Sequence, residues 1–579
     1  MRRTVAVTAV ATLFLTMATP AVATSNHQPG RFDLPYDGYA QRSTLLRDAT
    51  PAKAGLDPAP IDAALAQVDG WTRPTGTAKP LYAGAVTLLG HDGRVVTRNA
   101  TGMALKYAVN SAGTGTEELP ADQQIPMRTD TIFDMASVSK LFTSIVVLQQ
   151  VEAGRIDLDA PIATYVPEFA ENGKEAITVR QALTHTTGLP AWLPLWSAQP
   201  DPASRMHMAL TAKPTSVPGT RYLYSDLNLI SLGEVAARAS GKSLDRLVAD
   251  GITKPLRMRD TGYNPDPRKK SRIAATEFQA SPPRGMVWGE VHDENAWSLG
   301  GVAGHAGVFS TADDLAVLAQ TFLNGGSYAG ARILKESSVT AMITNFNQAF
   351  PGNDHGLGFE LNQRWYMSGL SGPRTAGHTG YTGTSIVIDF DSRSFAILLT
   401  NRVHPSRSWG SNNPARRAVV QGLALALGVK PQHGLDAWFS GTADASTATL
   451  TTRVAVPAEG ARASFDLFVD TEDSDLLYLE SSPDGATWTK VPFTVTDRGS
   501  MTETDGSISG SGDRHWQQAS ADLAAGDQLL RWRYTSDPLY TGRGVYVDGV
   551  RIMSGHRVLL DAERTPESFV AAGWRLSRR

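Results

Sequence analysis

The sequence predicts two structural units, an α/β (α+β) domain followed by an all-β domain. The chain has 579 residues, which exceeds the roughly 100–200 residues of an ordinary domain. Hairpin patterns near residues 84–96 and 384–400 flank a helical middle, so the two ends can pair into one antiparallel sheet with helices around it and a helical lobe. Beyond residue 430 alternation replaces helical periodicity, which predicts a jelly-roll-like β-sandwich.

The elements of the first unit follow from periodicity and from turn residues. Residues 85–89 and 94–96 alternate around the pair Asp92-Gly93, which suits a hairpin turn. Later strands are expected at 384–390 and 395–400. Helical spacing or helix start and stop signals mark four segments, at 137–154, 226–240, 311–322 and 414–427.

Composition and charge exclude several classes of protein. With 54 Lys and Arg against 57 Asp and Glu, the formal charge is −3, and no basic run is present, so we expect no nucleic-acid partner. The chain has no cysteine, which excludes disulfides, a thiolate nucleophile, Cys-ligated zinc and iron–sulfur clusters. No cofactor and no metal site are expected.

The N-terminus has the pattern of an export signal. Arg2 and Arg3 precede an apolar stretch from Val5 to Met17, and small residues follow up to Ala23. The apolar stretch is too short to span a bilayer of about 30 Å, so we expect cleavage near Ala23, a secreted protein and no membrane span. The domain prediction is therefore a signal peptide at 1–23, an extended leader at 24–59, a first domain at 60–430 and a sandwich at 431–579.

Three short motifs carry the candidate chemistry. Ser137 and Lys140 lie three residues apart at the start of a predicted helix, which places the hydroxyl beside the amine. A buried lysine with a lowered pKa can accept a serine proton, although a helix cap followed by a solvent lysine has the same pattern.

The second motif is Tyr224-Ser225-Asp226, a polar turn before a helix, where a tyrosine near a cation can relay protons. The third is His378-Thr379-Gly380 before a strand, where a backbone N–H can polarise a carbonyl. Taken alone, the second motif also fits a core tyrosine with a capping residue, and the third an ordinary hairpin.

In this order and spacing the motifs resemble the Ser-x-x-Lys, Tyr-x-Asn and Lys/His-Thr-Gly signature of penicillin-recognising serine hydrolases, and the chain resembles the class C β-lactamase-related family over residues 50–428. The resemblance implies a β-lactamase/transpeptidase-like fold. It also implies that Ser137 is the acylated nucleophile, that Lys140 tunes it, and that Tyr224 is the general base and then the acid. The implied oxyanion hole consists of the N–H groups of Ser137 and Tyr381.

The remaining implied site residues are substrate-binding positions, namely Asp226, His378, Thr379 and Gly380. Two of them depart from the family pattern. His378 stands where a true β-lactamase usually has a lysine, and a mostly neutral histidine should bind an anion less well. Asp226 replaces an asparagine and either pairs with Lys140 or repels an anionic substrate. His185 and His305 also lie in family-like segments and are expected to be structural.

The sequence thus leads to the hypothesis of a secreted serine hydrolase that cleaves an ester, a D-amino-acid peptide or a peptidoglycan fragment through Ser137. The alternatives are a non-catalytic wall- or glycan-binding protein on a hydrolase fold and a true β-lactamase. Residues 476–488 and 544–550 resemble jelly-roll modules of secreted hydrolases. Such a module binds glycan or cell wall, binds calcium or only stabilises. Its possible oxygen ligands are Asp470, Glu472, Asp473, Asp475 and Asp548.

Overall fold

The two predicted hairpins pair into one sheet in a computed structural model that describes residues 30–579. The signal peptide at 1–23 and its cleavage site lie outside the described residues. The late strand Ser394–Thr400 pairs antiparallel with the early strand Gly84–His91, with Leu398 opposite Thr87. The predicted closure of one sheet from both ends of the domain is therefore confirmed.

The sheet has a mostly antiparallel order, with only the short edge strand Arg47–Asp48 running parallel to its neighbour. Its strands are, in spatial order, Arg47–Asp48, Arg94–Leu105, Gly84–His91, Ser394–Thr400, Thr384–Asp389, Thr375–Thr379 and Glu360–Leu361, and Ile125–Pro126 pairs with Arg94–Leu105. Short ribbons join Tyr107–Val109 to Thr116–Glu118, Phe278–Gln279 to Gly285–Met286, Ser327–Tyr328 to Ala331–Arg332, and Val308–Ser310 to both Phe133–Asp134 and Gly262–Tyr263.

Helices cover both faces of this sheet and form a separate lobe. They are α1 Pro58–Gly70, α2 Ser139–Glu152, α3 Val179–Leu183, α4 Leu195–Ala198, α5 Pro202–Leu210, α6 Asp226–Ser240, α7 Leu244–Val248, α8 Glu294–Ser298, α9 Ala312–Leu323, α10 Glu336–Met342, α11 Arg364–Met367 and α12 Asn413–Ala426. The four predicted helices are confirmed as α2, α6, α9 and α12.

Alternation along the central strands explains why two helical layers form. Successive strand residues face opposite sides of a sheet, and Val86 and Leu88 pack in the core that contains α2 and α9. Ala85 and Leu89 pack in the core that contains α1 and α12. Both faces of the strand are buried, as in a three-layer α/β arrangement.

Helix α1 is an element that the sequence analysis did not predict. It begins at Pro58, and the Asp57 side chain accepts a hydrogen bond from the N–H of Ala59 at 3.0 Å. An aspartate cap followed by proline at the first helical position is a helix start signal. The signal was present but lay at the end of the Pro-rich segment that the analysis assigned to the leader.

The C-terminal part is a sandwich of two antiparallel sheets, which confirms the predicted fold class. One sheet has the order Ser500–Glu503, Thr494–Asp497, Gln517–Leu523, Ala461–Asp470, Gly544–Ser554, Ala437–Phe439 and Arg575–Ser577, with Arg557–Asp561 beside Gly544–Ser554. The other has the order Thr489–Lys490, Leu476–Ser482, Gly526–Thr535, Thr447–Val456 and Phe569–Ala572, with Ser507–Ile508 beside Leu476–Ser482.

The sandwich is joined to the first domain by a shared apolar core. Phe439, Phe468 and Tyr546 of the sandwich belong to the same buried cluster as Leu423 of α12. Phe32, in the segment before α1, packs edge-on against Phe468 with ring centres 6.1 Å apart. This segment therefore lies partly between the two domains.

A buried ion pair also crosses this interface. Arg514, from the Gly- and Ser-rich loop of the sandwich, donates to Asp389 Oδ2 at 2.6 Å and to the carbonyl of Leu370 at 2.6 Å. Both side chains are almost fully buried. A buried charge is stable only when it is paired, so the loop is held against the main sheet.

Within residues 30–579 no helix is both long enough and apolar enough to cross a bilayer.

Replacing Arg514 by methionine should lower the free energy of unfolding by about 3 kcal/mol, because Asp389 stays buried without its cation. Thr375 and Ser392 still donate to Asp389, which limits the loss. Urea unfolding followed by tryptophan fluorescence measures it. The control is Arg462→Met, which removes an exposed pair with Asp522 and should cost less than about 1 kcal/mol. Equal losses in the two variants would contradict the prediction.

Candidate active site

Ser137 lies on a sharp turn that the fold holds in place. The turn is a short 3-10 helix, Ala136–Val138, directly before α2. Ala136 has a φ of +45°, a conformation that non-glycine residues rarely adopt and that costs energy unless its surroundings impose it. The buried carboxylate of Asp134 accepts a hydrogen bond from the Ala136 N–H at 2.8 Å. The turn is therefore fixed at the residue before the candidate nucleophile.

Lys140 is a buried ammonium whose three donors are all used. Its Nζ lies 2.9 Å from Ser137 Oγ, 3.2 Å from the carbonyl of His305 and 2.8 Å from Asp226 Oδ1. Burial alone lowers the pKa of Lys140, but the Asp226 carboxylate and Tyr224 outweigh it and hold that pKa above its ordinary value. Asp226 therefore keeps Lys140 charged, which is one of the two roles expected for it. A lysine of lowered pKa that takes the serine proton does not fit this site.

Tyr224 completes the group around Ser137. Lys140 Nζ lies 4.8 Å from the centre of its ring, and its hydroxyl lies near Ser137 and Lys140, which both lower its pKa. Burial raises the pKa of Tyr224 to about 12, although the Lys140 ammonium counteracts part of this effect. At neutral pH the side chain is therefore a phenol, and the ammonium lowers the free-energy cost of forming the phenolate.

His185 and His305 pack against Tyr224 and the Lys140 site on the side away from the cavity. The ring of His185 packs 4.6 Å from that of Tyr224, and its Nδ1 accepts hydrogen bonds from the Ser225 N–H and the Asn228 amide. His305 Nε2 lies 3.0 Å from Asp293 Oδ1. These contacts hold the ring of Tyr224 and the backbone of His305, whose carbonyl accepts a hydrogen bond from Lys140.

The strand end at 378–380 lies against the turn that carries Ser137. A Cβ atom on Gly380 would lie 2.4 Å from the carbonyl oxygen of Met135 and 2.1 Å from Thr384 Oγ1, so only glycine fits. Thr384 and Thr382 donate hydrogen bonds to the carbonyls of Met135 and Asp134 at 3.0 and 2.7 Å. Glycine is thus required by the close approach of two backbones.

His378 presents a neutral imidazole to the site. Burial and the nearby positive charge of Lys140 lower the pKa of His378 to about 3. Its Nδ1 lies 2.8 Å from the carbonyl of Thr379, so Nδ1 carries the proton and Nε2 is an acceptor. His378 therefore supplies no fixed positive charge to the site, as the sequence analysis expected for a histidine at this position.

A cavity of about 550 Å³ opens in front of Ser137. The sequence-predicted residues that line it are Ser137, Tyr224, His378, Thr379, Gly380 and Tyr381. Lys140 and Asp226 do not line it and lie behind Ser137. The side chain of Tyr381 is half exposed at its rim.

Several cavity residues were missed by the sequence analysis, and three of them are arginines. Arg402 and Arg416 line the cavity and make no ion pair with a carboxylate in the part of the chain that the structure describes, whereas Arg407 pairs with Glu277 and Glu294. Burial lowers the pKa of Arg416 to about 10, so it stays charged at neutral pH. Arg416 shares the buried face of α12 with Val419 and Val420. A charged residue within an apolar helix face could have marked Arg416 as a functional residue from the sequence.

Glu360 is a further missed residue of the cavity wall. It lies opposite Gly377 in the neighbouring strand. Burial raises the pKa of Glu360 to about 7, against the opposing effects of Tyr366 and Arg416. A large part of its negative charge is therefore absent at neutral pH, which leaves the cavity with excess positive charge.

Among residues 30–579, two groups of side chains have atoms close enough to hold a cation. Asp226, Asp293 and His305 form one, with ligand atoms within 4.8 Å of one another, but the Lys140 ammonium already binds Asp226 there. Glu472, Asp475 and Asp537 form the other, in the sandwich. Of the other acids named from the sequence, Asp548 instead accepts hydrogen bonds from the N–H groups of Gln432 and His433.

Comparison with known proteins places this site in a family. The family model described as Beta-lactamase matches residues 75–421. An Escherichia coli K12 protein named "Putative D-alanyl-D-alanine carboxypeptidase" is 31% identical over 408 residues, which cover 65% of this chain and 90% of that protein. A protein of the same name from Salmonella agona is 30% identical over 424 residues, with coverage of 67% and 93%.

Among solved structures, one titled "A class C beta-lactamase" has a TM-score of 0.50 at 18% identity, and the match covers 64% of this chain and 96% of that one. At this identity the likeness concerns the fold. The family model spans more than half of the chain, including all three motifs. The chain therefore belongs to the beta-lactamase family and is a serine hydrolase of that family.

Proposed function

We propose that the protein is a carboxypeptidase that releases the terminal residue of peptides ending in D-alanyl-D-alanine through an acyl-enzyme on Ser137. The observation that carries the proposal is the contact of Ser137 Oγ with the Lys140 ammonium, which is paired with Asp226. Ser137 lines a cavity that also contains two guanidinium groups without carboxylate partners in the described chain. The names of the relatives supply the substrate class.

In acylation, Ser137 Oγ attacks the carbonyl carbon of the penultimate D-alanine. Lys140 donates a hydrogen bond to Oγ, so the Oγ proton is free to pass to the phenolate form of Tyr224. The tetrahedral oxyanion accepts hydrogen bonds from the N–H groups of Ser137 and Tyr381. Tyr224 then gives its proton to the leaving nitrogen, and the C–N bond breaks.

In deacylation, water replaces the released D-alanine. Tyr224, again a phenolate after protonating the leaving group, takes a proton from this water, which attacks the acyl carbon. The proton returns to Ser137 Oγ as the ester bond breaks. The Lys140 ammonium keeps its charge throughout and stabilises the phenolate and the developing oxyanion.

The positive charge of the cavity supports recognition of a terminal carboxylate. His378 supplies none, because its pKa is lowered to about 3. Arg402 and Arg416 lie in the same lining as His378, and guanidinium groups bind carboxylates well. We propose that they take the role that a lysine at position 378 would have. Thr379 and Gly380 border the same bound peptide, whereas Asp226 lies behind Ser137 and pairs with Lys140.

We also propose that the protein acts outside the cytoplasm. The N-terminal export pattern with a cleavage site near Ala23 supports this location, as does a substrate class that belongs to the cell wall.

Replacing Ser137 by alanine should abolish turnover, because no nucleophile remains to form the acyl-enzyme. We expect kcat/KM for D-alanine release from a diacetyl-L-Lys-D-Ala-D-Ala peptide to fall at least about 10³-fold. Intact-protein mass spectrometry with a slowly hydrolysed ester should show an adduct on the parent protein and none on the variant. A variant that keeps the parental rate, or carries the same adduct, would refute the proposal.

The pH dependence of kcat/KM should report Tyr224. Since its phenolate is the active form and its pKa is raised to about 12, the phenolate fraction increases with pH. Between pH 8 and pH 9, above the titration of Glu360 and below that of Arg416, the logarithm of kcat/KM should therefore rise with a slope near +1.

Asp226→Asn is the matched variant for this measurement. Removing the carboxylate leaves burial as the dominant effect on Lys140, so its pKa falls. The variant should lose activity at the alkaline end as the lysine deprotonates, and its profile should become bell-shaped. Parallel profiles in parent and variant would show that Asp226 does not hold the Lys140 charge.

Recognition of the terminal carboxylate can be isolated by comparing a peptide acid with its C-terminal amide. Arg402→Gln should lower the acid-to-amide ratio of kcat/KM about tenfold, which corresponds to about 1.4 kcal/mol. Arg402 Nε also donates to the carbonyl of Tyr381 at 2.9 Å. Disturbance of the oxyanion hole would affect both substrates equally, so an unchanged ratio would exclude the proposed carboxylate contact.

A further inference from the structure

A second large cleft lies between the two domains. Its volume is about 690 Å³, and the range that holds small-molecule ligands is roughly 300–1,000 Å³. One wall is formed by Gly352 and residues 362–365 and 371–373 of the hydrolase domain, and the other by residues 471–474, 510–511, Asp513 and Tyr540 of the sandwich. The cleft exists only because the sandwich is fixed against the hydrolase domain.

The cleft adjoins the active site at one side chain. Trp365, at the start of α11, lines both the cleft and the cavity of Ser137. A ligand that occupied both spaces would have to pass over Trp365.

The charge of the cleft disfavours anionic ligands. Glu472, Asp473 and Asp513 line it, and the guanidinium group of Arg364 is already bound to Asp470 at 3.3 Å and to the carbonyl of Thr471 at 2.9 Å. The remaining charge is negative, which disfavours phosphate polymers and nucleic acid.

The other lining groups fit a saccharide. Two aromatic side chains, Trp365 and Tyr540, give flat apolar surfaces against which the C–H face of a sugar ring can pack. The guanidinium carbon of Arg417 lies 5.3 Å from the ring centre of Tyr540 and holds that ring. Polar side chains complete the wall and can bind hydroxyl groups. The carboxylates of Glu472, Asp473 and Asp513 accept hydrogen bonds, and the amides of Asn362 and Gln363 have both donor and acceptor atoms.

We propose that this interdomain cleft binds the neutral saccharide part of a substrate whose peptide stem enters the Ser137 cavity. This inference rests on the proposed peptidase function and narrows the substrate from a free peptide to a glycan-linked one. Binding energy from the saccharide would then contribute to the rate at a bond some distance away.

The test compares one pentapeptide that ends in D-Ala-D-Ala with the same peptide attached to N-acetylglucosaminyl-N-acetylmuramic acid. For the parent protein we expect kcat/KM to be roughly tenfold higher with the disaccharide. In Tyr540→Ala this ratio should fall to about 1–2, with the rate on the free peptide as the internal reference. The matched control is Tyr478→Ala, a tyrosine of the same sandwich that does not line the cleft, which should keep the parental ratio.

A parental ratio near 1, or a ratio that Tyr540→Ala leaves unchanged, would overturn the inference.

A binding experiment separates the failure of this inference from failure of the proposed function. Calorimetric titration of Ser137→Ala with the neutral disaccharide N,N′-diacetylchitobiose should show binding that Tyr540→Ala removes. If the disaccharide binds but neither peptide is cleaved, the cleft stands and the peptidase proposal fails. If both peptides are cleaved equally and no disaccharide binds, the saccharide proposal fails and the peptidase proposal stands. Binding of calcium alone, with no effect of the disaccharide, would make the acidic wall a cation site and overturn the saccharide proposal.

Discussion

The need to satisfy one buried ammonium organises the catalytic centre. Lys140 is almost completely buried, and a charge in that position is tolerated only if its donors are paired. The three oxygens that pair with it come from the turn before α2, from the start of α6 and from the loop that precedes the strand Val308–Ser310. The ammonium therefore ties three distant segments together, and Ser137 gains its position from the same contacts that keep the lysine charged.

The second constraint is the close approach of the strand end to the turn of Ser137. Gly380 leaves no room for a side chain against Met135, while Thr382 and Thr384 bond to the carbonyls just before the nucleophile. Arg416 extends this connection to α12, since it donates to the carbonyls of Gly380 and Thr384. The turn before Ser137, the strand ends around Gly380 and the guanidinium group of Arg416 are thus parts of one hydrogen-bonded unit.

The sequence was sufficient for the elements with strong periodicity and for residues inside short motifs. The hairpins, α2, α6, α9 and α12 were predicted because their apolar spacing and end signals are local. The charge state of Lys140 was left as two alternatives because it depends on whether Asp226, 86 positions away, reaches it. Arg402, Arg416 and Glu360 were missed because they come to the cavity through strand pairing and helix packing rather than through a motif. Helix α1 was missed because its cap lies in a Pro-rich segment.

The attachment of the sandwich bears directly on what the enzyme can recognise. A domain joined by a flexible linker could not form one wall of a defined cleft beside the active site. Here the shared core of Phe32, Phe468 and Tyr546 is supplemented by Arg514 and Arg543, which donate to the carbonyls of Leu370 and Leu427 in the hydrolase domain. Backbone carbonyls fix position more strictly than mobile side chains do, so the distance between Tyr540 and Trp365 is set by the fold. A rigid second wall is what allows remote binding energy to act on the bond at Ser137.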